Sequence, residues 1–309
     1  MRQSETAPKG DWIGNASGGV KAPASIVLPD PVQRFSRTAE RLERLADGHA
    51  AEGWLAFMAE ASRAQAEAAA ALPTSRAPDD IAIAQAVAAR VPPIAADGHR
   101  RDMAWRDGLA VMFESIDATL FPASAATTIA DLRRRDATEM EGLADAFLRG
   151  GLDPGDAGAI FWIAAALQVY FTGLAVTLRA SDLRLLERRD LCPCCGSTSS
   201  ASVIAASGQN PGARYLHCSL CSTAWHHTRA VCIVCGGART LSLRGVEGDS
   251  GLARAETCDE CGTYAKVFYE AKDAGVDPYA DDLATLGLDM MVGEAGWSRH
   301  APHPLLLVG

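Results

Sequence analysis

The chain has 309 residues, 48% of them apolar and 22% charged, with a formal net charge of −9 at pH 7. That length buries a large core in two or three domains and needs no covalent staples, and the composition is that of a water-soluble folded protein. The acidic balance, with no basic stripe, weighs against a nucleic-acid partner.

Residues 1–25 are rich in Gly, Ser, Pro and Ala without apolar periodicity and are expected to form a flexible N-terminal arm. Residues 26–189 read as an α-helical domain. Asp30 before Pro31 is an N-cap followed by the first helical position, and Phe35, Ala39, Leu42 and Leu45 recur at helical spacing. A second helix runs through Trp54, Met58, Ala61 and Gln65 until Pro73 ends it, a short one is expected around Ile81–Arg90, and another over Met103–Leu120. Leu132, Met140, Leu143 and Phe147 mark one further amphipathic helix, stopped by Gly150-Gly151, with the run Arg133–Arg135 near its start as a solvated face.

From Ala157 to Leu178 there are 22 consecutive residues without a charge. The length would span a bilayer. Gln168, Thr172, two glycines and six alanines make a poor lipid match, so a central helix surrounded by the others is the favoured reading. Charges cluster at Arg184–Asp190, where a domain boundary is expected.

All nine cysteines lie between Leu191 and Tyr264, and eight form four CxxC pairs: Cys192/Cys195, Cys218/Cys221, Cys232/Cys235 and Cys258/Cys261. Adding 40 to the first four numbers gives the last four, and Gly196/Gly236, Ser202/Ser242, Arg214/Arg254 and Thr223/Thr263 keep the same register. This is a tandem repeat of one metal knuckle pair. A CxxC turn aims two sulfurs at a common point, and two such turns complete a tetrahedron of thiolates around one ion. Sequential pairing makes Cys192, Cys195, Cys218 and Cys221 one site and Cys232, Cys235, Cys258 and Cys261 the other; an interleaved pairing breaks the repeat. Gly196 and Gly236 permit a positive backbone dihedral after each knuckle, which lets amides point at the sulfurs.

Four thiolates suit iron and zinc alike. Short runs such as SVIAAS, RYLHC, RTLSLRG and AKVFYE read as small strands, as a rubredoxin-like or zinc-ribbon-like unit requires. The expected architecture is thus multidomain α plus small β: the helical domain, a first unit over residues 190–230, a second over 231–272, and a C-terminal helix and tail over 273–309. Residues 190–272 carry seven basic and seven acidic side chains, so the metal units are locally neutral. Clustered free thiols, and an opening MRQSETAPKGDW without an apolar signal core, point to a reducing, cytoplasmic compartment. Cys194, the ninth cysteine, is read as space-filling, with exchange for a neighbouring ligand or a free redox thiol as alternatives. His217, His226 and His227 are read as hydrogen-bonding or surface groups, and Trp225 as packing. No GxSxG elbow, GxGxxG turn, P-loop or HExxH helix is present, and no catalytic residue is assigned.

The strings CPCCGS, RYLHCSLCSTAWHHTRAVCIVCG, ETCDECGTYAKV and DDLATLGLD, with VLPDPVQRF near the start, resemble the formate dehydrogenase accessory protein family, FdhE, over most of the chain from about residue 26. Cys194 departs from that pattern. The resemblance implies a helical region followed by two rubredoxin-like units, each holding a metal with iron favoured, in a cytoplasmic assembly factor. Such a factor is not itself an enzyme, and it binds the catalytic subunit of formate dehydrogenase without entering the membrane. A homodimer is left open. The competing readings are a rubredoxin-like electron carrier and, on the knuckles alone, a zinc-ribbon protein that binds nucleic acid.

Overall fold

In a computed structural model, which describes residues 22–72, 78–116, 121–151, 153–208, 210–301 and 303–306, the first helix begins where its cap chemistry dictates. The Asp30 carboxylate accepts the Gln33 N–H at 3.1 Å, and Pro31 takes the first position of α1 (Pro31–Ala46), where a missing N–H leaves nothing unpaired. α2 (Glu52–Ala71), α3 (Asp80–Ala88), α4 (Ala104–Ser115), α5 (Ala123–Leu132) and α6 (Ala137–Arg149) follow. The arm up to residue 21, Pro73, Leu120 and the last three residues lie outside the described residues.

The long uncharged run forms α7 (Ala157–Ala175), entered through a 3-10 turn at Pro154–Asp156. All of α7 except Ala157, Gly158 and Gly173 is buried, and α1, α2, α4, α5 and α6 pack around it. A helix enclosed on every side has no polar face to present, which is why its sequence shows none. Gln168, on this helix, receives one hydrogen bond from Gln65 at 2.9 Å and donates another to the Ser219 carbonyl at 2.8 Å.

The stretch expected as one helix through Leu132 and Phe147 is two. Asp136 accepts from the Thr138 and Glu139 amides at 2.8 and 2.9 Å while the Glu139 carboxylate accepts the Asp136 N–H at 2.9 Å, a complete capping box that restarts the chain as α6. Arg133–Arg135 fill the turn before it. Arg133 bonds the Phe113 carbonyl and Arg135 pairs with Asp131 and Asp156, so two of the three serve the turn rather than an open face.

The strands are β1 (Ile26–Val27), β2 (Ser199–Ile204), β3 (Arg214–Cys218), β4 (Ala224–His227), β5 (Leu241–Arg244), β6 (Ala253–Cys258), β7 (Thr263–Tyr269) and β8 (Ser298–Arg299). They form one sheet in the order β1-β4-β3-β2-β7-β6-β5, with β8 beside β7. Each cysteine unit contributes an antiparallel meander, and the two are sewn together by a parallel pairing of β2 with β7, Ser202 opposite Val267 and Ile204 opposite Tyr269. Arg214 crosses that seam, donating to Ser202 Oγ at 3.1 Å and to Glu256 at 2.9 Å. At the far edge Ile26 pairs with Trp225, which ties the start of the helical region to the first unit.

The C-terminal helix is likewise two short ones, α8 (Ala280–Ala284) and α9 (Leu286–Glu294), broken at Thr285, whose hydroxyl turns back to the Asp281 carbonyl at 2.7 Å. They cover the second unit's meander over a buried ionic cluster. Lys266 Nζ lies 3.0 Å from Asp282 and 2.5 Å from Asp289, and Arg299 grips both Asp282 oxygens at 2.7 and 2.6 Å. Two cations matched by two carboxylates leave no net charge in the interior. Burial opposes ionisation of Asp282, but Lys266 and Arg299 outweigh it and hold that carboxyl well below its usual range. Arg41 of α1 completes the frame, reaching Asp281 at 3.0 and 2.7 Å and Asp273 at 2.7 Å.

Candidate metal centres

Each four-cysteine set is built by two tight turns. In the first unit the Gly196 N–H bonds the Cys192 carbonyl at 2.9 Å, and in the second the Gly236 N–H bonds the Cys232 carbonyl at 3.1 Å. Gly196 and Gly236 have φ of +80° and +74°, the left-handed conformation that glycine adopts without a Cβ clash. The sulfurs come together sequentially: Cys192, Cys195, Cys218 and Cys221 in one cluster, Cys232, Cys235, Cys258 and Cys261 in the other, each within 4.8 Å of one another.

The distances test whether a metal fits. Four thiolates at about 2.3 Å from an ion define tetrahedral edges of about 3.8 Å. Cys192–Cys221 and Cys195–Cys218 are 3.5 and 3.4 Å apart, and Cys232–Cys261 and Cys235–Cys258 are 3.8 and 3.7 Å. These separations are far beyond the roughly 2.05 Å of a disulfide. Both clusters are therefore sized for one thiophilic cation.

Hydrogen bonds reach the sulfurs in both units. The Leu220 and Cys221 amides point at Cys218 Sγ, each at 3.4 Å, and the Gly237 amide points at Cys235 Sγ at 3.4 Å. Thr223 Oγ1 lies 3.2 Å from Cys221 Sγ, and its repeat counterpart Thr263 Oγ1 lies 3.0 Å from Cys261 Sγ. Such contacts disperse charge on thiolate sulfur. Burial pushes the Cys192 and Cys218 thiols well above their ordinary range and raises Cys232 to about 12. Cys258 is drawn down to about 7: burial works against this, but the Cys261 and Glu260 amides outweigh it. Closely packed thiols cannot all ionise without a cation to neutralise them.

The two clusters differ in their surroundings. All four sulfur-bearing residues of the first are at most 1% exposed, whereas in the second Cys235 is exposed and Cys261 half-buried. The first is gripped by the helical region: the Ile94 and Ala96 amides bond the Cys194 and Cys195 carbonyls at 3.0 and 2.8 Å. Tyr279 Oη bonds the Cys218 carbonyl at 3.1 Å, and Ser222 Oγ meets both Arg34 Nε and Thr172 Oγ1 at 3.1 Å. Sequence reasoning passed over Ser222 and Tyr279, and it noted Gln168 as a poor lipid match without assigning it the contact to the Ser219 carbonyl. Thr223 and Thr263 it placed in register without assigning them a contact.

Cys194 lies outside both four-sulfur sets, buried, and receives a hydrogen bond from Thr223 Oγ1 at 3.4 Å. The histidines lie outside them too. His217 stands edge-on to Tyr279 with its ring lowered to about 4 by burial, His226 packs on Tyr215, and His227 bonds the Thr228 carbonyl. Trp225 is buried, its indole N–H on the Arg189 carbonyl at 2.9 Å.

Helices clamped on a sheet that carries two four-cysteine knuckle clusters define a double-knuckle protein of the rubredoxin and zinc-ribbon kind. The family models that match are FdhE, N-terminal, over residues 23–187, FdhE, central domain, over 191–229, and FdhE, C-terminal domain, over 230–306. A protein named "Protein FdhE homolog" from Edwardsiella ictaluri is 36% identical over 296 residues, covering 95% of this chain and 94% of that protein. One of the same name from Rhizobium meliloti is 32% identical over 294 residues, covering 94% and 95%. The crystal structure of the FdhE protein from Pseudomonas aeruginosa superposes with a TM-score of 0.84 at 32% identity, covering 92% of this chain and 99% of that one. The chain belongs to the FdhE family.

Proposed function

We propose that this protein is a cytoplasmic accessory factor in the maturation of formate dehydrogenase. It binds the enzyme's catalytic subunit, carries one metal ion in each four-cysteine site with iron ahead of zinc, and catalyses no reaction of its own. The observation that carries the reading is FdhE character running from residue 23 to residue 306 through both cysteine clusters. When bound by four thiolates, iron supplies a one-electron couple and zinc a redox-silent cross-link. The chain's own part is to hold eight sulfurs at the right separation and to present the surfaces around them.

A second reading, an electron carrier, draws on the exposure of Cys235 at the second site, since electron exchange needs a centre near the surface. Both readings are tested by affinity purification of the tagged chain from cells making formate dehydrogenase, followed by identification of the co-purified protein, metal analysis and size determination. Maturation predicts stoichiometric capture of the catalytic subunit, and the size of the free chain distinguishes monomer from homodimer. A chain that leaves formate dehydrogenase activity intact when deleted, and captures no catalytic subunit, sinks the proposal. Reversible bleaching of a visible band without any capture favours the carrier.

A further inference from the structure

The repeat gives both sites the same ligand spacing, yet the surroundings of the equivalent positions are opposite. Where the first unit has Ser222 at φ +59°, held by α1 and α7 through its hydroxyl, the second has Gly262 at φ +68°. A Cβ on Gly196 would meet Pro92 at 3.1 Å, whereas one on Gly236 or Gly262 would meet nothing within 4 Å. Cys194 is buried where its counterpart Val234 is 38% exposed. Among the described residues, no hydrogen bond joins the helical region to the second unit's knuckles, and only Trp297 and Ser298 reach them, at Asp259 and Gly262.

We infer that the two sites are kinetically unequal: the first is a fixed cross-link between helices and sheet, and the second is the port through which a thiophilic divalent cation enters and leaves. This rests on both clusters holding metal. A thiolate site loses its ion stepwise, as an incoming donor or a proton takes each sulfur in turn, so the rate follows access to the sulfurs. At the second site Cys235 is already open to solvent.

At the first, an incoming donor gains access only when the knuckles part from the helical region and the 277–279 loop. That means breaking the bonds from Ile94, Ala96, Gln168, Arg34, Thr172 and Tyr279. Each net hydrogen bond shifts such an opening by between about twofold and tenfold, and six together retard it by on the order of fiftyfold or more.

The test uses the full chain loaded with two zinc ions and challenged with excess 4-(2-pyridylazo)resorcinol, release being followed by the chelate's absorbance. One equivalent per chain is expected in a fast phase and the second on the order of fiftyfold more slowly. Cys235→Ser removes the fast phase. Tyr279→Phe deletes one hydroxyl bond to the Cys218 carbonyl and keeps the ring; it speeds the slow phase by about twofold to tenfold and leaves the fast phase alone. Release of both equivalents at one rate, or a fast phase that survives Cys235→Ser, overturns the inequality. A chain that cannot be loaded at all overturns the metal reading of the clusters, and this inference with it.

Discussion

Ser222 is a residue on which the site and the fold both depend, and two substitutions there separate its two burdens. Its backbone sits in the left-handed region, which costs a residue with a Cβ about 1–2 kcal/mol. Its hydroxyl is shared by Arg34 and by Thr172, a side chain with no exposed surface. Ser222→Ala keeps the strain and strands the Thr172 hydroxyl, so it costs about 1–3 kcal/mol. Ser222→Gly loses the same bonds but relieves the strain, at a backbone-entropy cost of roughly 0.5–1 kcal/mol. The glycine variant therefore comes out more stable than the alanine variant by up to about 1.5 kcal/mol. Urea unfolding of the metal-loaded variants, followed by tryptophan fluorescence with buried Trp162 and Trp225 as reporters, gives both values. Alanine more stable than glycine refutes the strain, and wild-type stability in both refutes the hold of the hydroxyl on Arg34 and Thr172.

Lys266→Met leaves Asp282 and Asp289 with Arg299 as their one full-time cation partner among the described residues, and is expected to cost about 3–5 kcal/mol by urea titration; a loss under about 1 kcal/mol would show that the cluster is not electrostatically closed. His303 is buried, which lowers it to about 4 from an ordinary 6.5. The folded state thus refuses a proton that the unfolded state accepts between those values. Stability is complete above about pH 6.5 and falls by up to about 1.4 kcal/mol per unit as pH drops toward 4. His217 and His300 are lowered by burial to the same value and add to the decline in the same window, so His303→Gln should lessen the slope by up to about 1.4 kcal/mol per unit without abolishing it, and an unchanged slope counts against it. Thr263→Val removes the hydroxyl beside Cys261 and should weaken metal retention at the second site by about tenfold in chelator competition, as an outer hydrogen-bonding partner does; equal retention would demote Thr263 to packing.

How much of this was readable depends on how local the cause is. The start at Asp30-Pro31, the stop at Gly150 and the enclosed α7 are written in neighbouring residues, and they hold. The break between α5 and α6 was also written locally, in the Asp136…Glu139 box, but Leu132 and Phe147 share a helical period and the period was read instead of the cap. The grouping of the eight sulfurs was legible because the 40-residue repeat fixes it. The β2–β7 seam was not, since parallel pairing between units leaves no mark on either strand's composition. Nor was the unequal burial of the clusters, because ligand spacing says nothing about what packs outside it; the difference between Ser222 and Gly262 was the visible sign.

The placement of β2 and β1 in the sheet has a consequence for how the chain is made. β2 needs β7, more than 55 residues downstream, and β1 needs β4, nearly 200 residues downstream. On a ribosome delivering the chain from its N-terminus, the helices can gather, but β1 stays unpaired until residues 224–227 have emerged. The first knuckle's meander likewise presents the free side of β2 until the second unit is out. Neither closure is finished locally, so a product truncated after the first four cysteines would expose a raw sheet edge and invite pairing with another nascent chain. Completion of the second unit is thus the step that seals the first.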